Sequence, residues 1–417
     1  MISFIQQTEF FGNSNPQLLV SEFGTPLYVY NEKILRERMK RMAHLISYPG
    51  FTANYSIKTN SNLSILKMAL DEGLNADAMS PGEIFLLLKA GFPRERIFYV
   101  SNNVSAEELQ YAIDQGVVVS LDSLSQLELF GKINRGGRCA VRLNPGYGAG
   151  HHEKVITAGK KTKFAISESD VPEIMKIAAK YDLKIIGINQ HIGSLFMDGS
   201  PFMLAVEQFL KIAMQFKNLE FVDFGGGFGI PYHKLSGEQE FDLESFGAAL
   251  EKVVEDWSDR YGRNVVFKSE PGRYIAAEGG VILGTVNAKK NNSGIKYIGT
   301  DIGMNVLIRP AMYNSWHDIE VFRNGTLIDD HNGIEKVTVV GNICESGDIL
   351  AKERELPVVM EGDVLCVLDA GAYGYSMSSN YNNRLRPAEV LIGLDGEPKL
   401  IRRRDTLEDL LTNFPIS

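Results

Sequence analysis

From about residue 30 to 275 the chain repeats one alternation, a short β-branched and aromatic run with a longer amphipathic segment. The strand-like runs are "FTANYSIK", "LNADAMS", "RIFYVS", "VVVSLDS", "CAVRLNP", "KIIGINQHIG", "FVDFGGG" and "NVVFKSEPG". In the intervening "LAVEQFLKIAMQF", Val206, Phe209, Leu210 and Ala213 fall at i, i+3, i+4 and i+7, one face of an α-helix. "SFGAALEKVVEDW" is another helical segment. Eight such units over roughly 240 residues are the count and length of a (β/α)8 TIM-like barrel. A doubly wound open sheet gives a similar alternation and is the alternative. Beyond residue 276 the texture changes to short strand-like runs with turn signals: "GGVILGTVNAKK", "KYIGTDIG", "KVTVVGNI", "DVLCVLDAGAYG" and "AEVLIG". They predict an all-β domain, to which "GTPLYVYN" near the start is a candidate further strand. The expected division is residues 1–30 contributing to the β domain, an α/β barrel over 31–275, and the C-terminal β domain over 276–417.

The length of 417 residues suits two domains better than one small core. A net charge of −9 argues against nucleic acid or an anionic membrane as the main partner. No apolar run approaches the roughly 20 residues that span a bilayer, and "MISFIQQTEFF" lacks the basic and apolar regions of a signal peptide. Three cysteines without a CxxC pair predict neither a disulfide framework nor zinc, and a reducing cytoplasm fits best. His151 and His152 are adjacent and face different ways on regular structure, which argues against a metal site. "RRRD", residues 402–405, reads as a solvated basic patch, and "DTLEDLL" as a short helix.

Lys58, Asp77, Arg142, His191, Gly225, Gly226, Gly227 and Glu270 all fall at or just past the carboxyl ends of strand-like runs. In a (β/α)8 barrel those ends form the catalytic face. A solvated surface lysine is the plain reading of Lys58, and the convergence weakens it. A partly desolvated lysine there can form a Schiff base, and a phosphorylated aromatic aldehyde suits the groups around it. The glycines of "DFGGGFG" let backbone N–H groups approach a phosphate, although tight turns account for them equally well. In "SEPGRYI", Glu270 can protonate a pyridine nitrogen, with Arg273 beside it for an anion. The flat ring of His191 can stack on a cofactor or be a satisfied core histidine.

Taken in order, "YSIKTN", "HIGS", "GGGFG", "EPGR", "CESGD" and "GAYGYSMSSNYN" resemble the fold-type III pyridoxal-phosphate decarboxylases over about residues 24–400. "RLNPGYGAGHHEKVITAGKKTKF" and "GMNVLIRPAMY" are similar to the diaminopimelate branch of that family. The resemblance implies an alanine-racemase-like barrel with a C-terminal β domain, working as a homodimer with shared active sites. It implies pyridoxal 5'-phosphate as cofactor and decarboxylation of meso-2,6-diaminopimelate to L-lysine, the last step of lysine biosynthesis. Lys58 would hold the cofactor covalently, His191 would stack on its ring, and Glu270 would keep the ring nitrogen protonated. Ser194, Gly227, Gly272, Arg273 and Tyr373 would contact the cofactor, with Asp77, Gly225 and Gly226 beside them. Arg273 and Tyr373 would also reach substrate.

The same resemblance assigns the substrate's distal end to Arg309 and Tyr313, with Cys344 and Glu345 entering from the partner subunit. Cys344 lies in a Gly/Ser/Asp loop and is the candidate proton donor, whereas Cys139 and Cys366 sit inside strand-like runs. The chain departs from the family at Asn189, where His or Phe is usual, at Leu195 for Gln, and at Ala165 for Gly. Decarboxylases of ornithine, arginine or a carboxylated polyamine are the nearest rivals. Their substrates lack the distal carboxylate that Arg309, paired with Glu345, would recognise. An inactive homologue serving as a regulatory partner is less well matched, because Lys58 and Cys344 are both present, and a racemase because the β-domain motifs around Cys344 resemble those of the decarboxylases.

Overall fold

The computed structural model describes residues 3–146, 163–328 and 333–415. Two compact units account for them: one comprises residues 38–230 and 240–275, the other residues up to 37, 231–239 and from 276 onward. Residues 31–37 and 231–239 were expected within the barrel and belong to the second unit instead. His151 and His152 lie outside the described residues.

The first unit is a closed parallel barrel. Its strands run in the order Val118–Leu121, Ile97–Val100, Asn75–Ala78, Phe51–Ser56, Val266–Ser269, Phe221–Asp223, Lys184–Asn189 and Arg138–Asn144, which pairs back to Val118–Leu121. Closure removes both sheet edges and excludes the open doubly wound alternative. The two-residue strand Ile166–Ser167 adds to Arg138–Asn144.

Helices between the strands bury the stripe their spacing predicts. Ser200–Ala213 buries Val206, Phe209, Leu210 and Ala213. Helix Leu243–Tyr261 starts where the Asp242 side chain accepts the Ser245 N–H at 3.0 Å and stops at Gly262, φ +72°. Its Trp257 donates Nε1–H to the Leu210 carbonyl at 2.8 Å, fixing two outer helices together.

Inside the barrel, Phe98, Val100, Ala140, Ile186 and Phe221 form an apolar cluster. Two residues further along their strands, on the same face, Ala140 and Phe221 give way to the buried Arg142 and Asp223. The core therefore changes from apolar to polar toward the carboxyl ends of the strands.

In the second unit, strand Leu27–Asn31 pairs antiparallel with Gly280–Asn292 and parallel with Ala388–Ile392. The N-terminal segment is thus a central strand of the β unit's sheet. Leu27, Val29, Val281, Leu283, Val364, Val390 and Ile392 are among its core residues. The "RRRD" run is solvated only in part, at Arg403. Arg402 bonds the buried Glu389, Arg404 Nη2 donates to the Pro26 carbonyl at 2.7 Å, and Arg403 Nη2 donates to Asp409 Oδ1 at 2.8 Å. A buried carboxylate and a backbone carbonyl draw Arg402 and Arg404 partly inward.

Candidate functional site

Lys58 stands in the turn Ile57–Thr59 directly after strand Phe51–Ser56. Its charge acts on Asp77, Glu83, His191 and Glu270, which puts these groups in one electrostatic neighbourhood. Asp77 is the register partner of Ser56, whose Oγ donates to Asp77 Oδ2 at 2.9 Å. Burial pushes the Asp77 carboxyl well above the usual range, Glu270 adds to the rise, and Lys58 opposes it.

Glu270 follows strand Val266–Ser269 and is 4% exposed. Burial raises its pKa, while Lys58, Arg142 and Lys268 pull it back toward the charged form. Its Oε1 has no hydrogen-bond partner among the described residues. An unmet buried acceptor costs about 1–3 kcal/mol, which makes it a candidate partner for a bound group.

The loop Phe224–Phe228 beside it is fixed by close packing. Gly225 and Gly227 take φ of +75° and +118°, and a Cβ at Gly226 would stand 2.0 Å from the Glu270 carbonyl oxygen. Tight packing thus requires these glycines whether or not a phosphate lies against them. The same packing aims the Gly226 N–H at His191 Nδ1, 3.2 Å away. His191 Nδ1 is therefore an acceptor and Nε2 carries the ring proton. Burial first, then the charges of Lys58 and Arg142, hold His191 well below the ordinary histidine range. The neutral ring makes no ion pair with Glu270 Oε2, 3.9 Å from Nδ1.

Arg273 is 7% exposed and donates Nη2–H to Ser194 Oγ at 3.1 Å. Gly272, just before it, is packed so closely that a Cβ would lie 2.2 Å from Thr59 Oγ1. In the β unit, Arg309 is buried at the start of the helix Arg309–Tyr313. Tyr313 is half-buried and Glu345 exposed. Cys344 is exposed, and its N–H donates to Asn382 Oδ1 at 2.7 Å. Tyr373 sits at φ +57°, a strained conformation for a bulky residue.

Three contributors escape the motifs. Asp223 accepts the Gly225 N–H at 2.9 Å on Oδ1 and the Asn54 side-chain N–H at 3.4 Å on Oδ2. Lys268 lies over the Phe221 ring at 4.1 Å, and burial lowers its pKa. His317 lies 2.8 Å from Arg309. For Asp223 and Lys268 the signals were available: "FVDF" and "VFKS" each place a charge inside an apolar strand.

Comparison with known proteins identifies the family. The family model for the pyridoxal-dependent decarboxylase pyridoxal-binding domain matches residues 32–277. A diaminopimelate decarboxylase of Methanothermobacter thermautotrophicus is 43% identical over 409 residues, covering 96% of this chain and 94% of the relative. The crystal structure of Helicobacter pylori diaminopimelate decarboxylase complexed with L-lysine has a TM-score of 0.86 at 30% identity, covering 95% of this chain and 98% of that one. A Vibrio vulnificus lysine/ornithine decarboxylase complexed with putrescine has a TM-score of 0.77 at 21% identity, covering 91% and 97%, a likeness of fold alone.

Proposed function

This chain belongs to the pyridoxal-dependent decarboxylases, and we propose that it converts meso-2,6-diaminopimelate to L-lysine and CO2. The single observation that carries the cofactor reading is Glu270 Oε1, a buried carboxyl oxygen without a hydrogen-bond partner, near the charge of Lys58. A protonated ring nitrogen would supply a donor to it. The residues present fit pyridoxal phosphate in other respects too. Lys58 offers the amine that holds it, neutral His191 a flat ring, and Arg273 with Ser194 a cation and a hydroxyl for its phosphate.

When bound, pyridoxal phosphate supplies an electron sink for the pair left by departing CO2. Burial raises the Glu270 pKa against the pull of Lys58, Arg142 and Lys268, and beside the ring nitrogen this carboxyl would favour that nitrogen's protonated form. Arg309 presents a planar donor fork to the distal carboxylate of the substrate. Tyr313 adds a hydrogen bond, and Glu345 pairs with the neighbouring ammonium. Cys344 holds on Sγ the proton delivered to the α-carbon. We further propose a homodimer in which Cys344 and Glu345 complete the site of the partner subunit. Free thiols at Cys139, Cys344 and Cys366 support a cytoplasmic setting. Among the described residues no helix is long and apolar enough to cross a membrane.

Purified protein incubated with pyridoxal phosphate should form lysine from meso-diaminopimelate, and little product from ornithine or arginine. A site with buried polar partners rejects analogues that leave them unpaired, often by roughly 10⁴-fold. Comparable kcat/KM values for ornithine and diaminopimelate would overturn the substrate assignment and leave the decarboxylase fold standing.

A further inference from the structure

Arg309 is 2% exposed, and its guanidinium is held within the β unit on several sides. Nη1 lies 2.8 Å from His317 Nε2, Nη2 donates to Ser315 Oγ at 3.4 Å, and the Tyr232 ring centroid is 4.8 Å from Cζ. His317 is equally buried, at 2%, and its Nδ1 lies 2.8 Å from the Leu368 carbonyl oxygen. A carbonyl oxygen only accepts, so Nδ1 carries the ring proton. A guanidinium only donates, so Nε2 presents its lone pair. The two partners therefore select the same neutral tautomer.

The main chain at this point is fixed as well. Arg354 donates Nη1–H to the His317 carbonyl at 2.7 Å, while its guanidinium stacks 3.3 Å from the Trp316 ring centroid.

We infer that His317 is a positioning residue for substrate recognition: its Nε2 fixes the plane of the Arg309 guanidinium proposed to face the substrate's distal carboxylate, and its neutral ring adds no negative charge there. The inference rests on the proposed role of Arg309. Two physical points support it. Bidentate recognition of a carboxylate needs the donor fork held in one orientation, and a ring tied at both nitrogens is a rigid anchor. A neutral acceptor also differs from an acid. Aspartate or glutamate at this position would hold Arg309 as firmly but would neutralise it and compete with the incoming carboxylate.

The test compares holoenzymes of wild type, His317→Asn, His317→Gln and Arg309→Lys. Asparagine can place an N–H near the Leu368 carbonyl but offers Arg309 no acceptor. Glutamine can set an amide oxygen where Nε2 stands. His317→Asn should raise the KM for meso-diaminopimelate and the inhibition constant of L-lysine about tenfold to hundredfold, the scale of one hydrogen bond to a charged group. Its kcat should change by less than about threefold, as expected for loss of binding common to ground and transition states. Inhibition by 1,5-diaminopentane, which has no carboxylate, should stay at the wild-type value, and His317→Gln should recover most of the lost affinity.

Lysine and diaminopentane weakened in step, or a fall in kcat with KM unchanged, would overturn the positioning role. Arg309→Lys separates the two levels. If it weakens lysine binding while His317→Asn does not, this inference fails alone; if neither variant affects lysine, the reading of Arg309 has failed. Should His317→Asn not fold, His317→Met, similar in volume and without a strong acceptor, carries the same expectation.

Discussion

Cys344 is exposed while Cys139 and Cys366 are buried, and that difference decides which thiol can reach a substrate. Burial pushes Cys139 up to about 12 and Cys366 well above the usual thiol range, so neither exchanges a proton readily near neutrality. Cys344→Ala should slow turnover by roughly 10²-fold or more, the scale of a positioned general acid, with cofactor absorbance intact. Cys139→Ala should cost little activity. Equal losses of kcat in the two variants would reject Cys344 as the donor. This distinction was readable from the chain, because the buried cysteines interrupt nothing in their strand-like runs while Cys344 sits among turn residues. Conformation was less readable. Ala165 and Leu195, both departures from the family pattern, take φ of +73° and +68°. A left-handed non-glycine residue costs about 1 kcal/mol or more, and only the fold shows that it is borne.

Among the elements, the segment Pro231–Gln239 was the hardest to place. Its polar, turn-rich sequence follows the glycine loop, and no periodicity says which unit it joins. In the structure Lys234 Nζ lies 2.6 Å from Asp369 Oδ1 and 2.9 Å from Glu278 Oε1, all three groups being nearly buried. Two acids share one cation, so Lys234 stays charged and burial pushes Asp369 up to about 7 against the pull of Lys234. The sign follows from proton counting. The folded state binds more protons at Asp369 than the unfolded chain, with its ordinary value of 3.8. That contribution to stability is full below about pH 4 and is lost as pH rises through about 7. Lys234→Met would strand two buried acids and should cost about 3–5 kcal/mol at pH 8, the scale for breaking a buried pair. The loss should shrink by pH 5, where Asp369 is protonated. Thermal unfolding at the two pH values measures it, and an equal loss at both would exclude titration of Asp369 as the cause.

For the whole molecule, the barrel was the most legible feature. Each of the eight strand-like runs contains or overlaps one barrel strand, because strands covered on both faces leave near-continuous apolar runs. Polar residues at the ends of those runs stood out for the same reason. What the chain could not supply is a relation between its two halves: Lys58 lies in the barrel unit and Cys344 in the β unit. If the proposed homodimer shares its sites, each site takes its lysine from one subunit and its cysteine from the other. Neither Lys58→Ala nor Cys344→Ala should then turn over appreciably alone. Mixed under conditions that exchange subunits, they should regain activity, because a heterodimer pairs the intact lysine of one chain with the intact cysteine of the other. Two-fold symmetry sets the amount. Half of randomly paired dimers are mixed and each has one whole site, so about a quarter of wild-type activity should return in an equal mixture. The measurement is lysine formation before and after exchange, with heterodimers counted by differently tagged chains. Heterodimers present without recovered activity would show that each chain builds its own site.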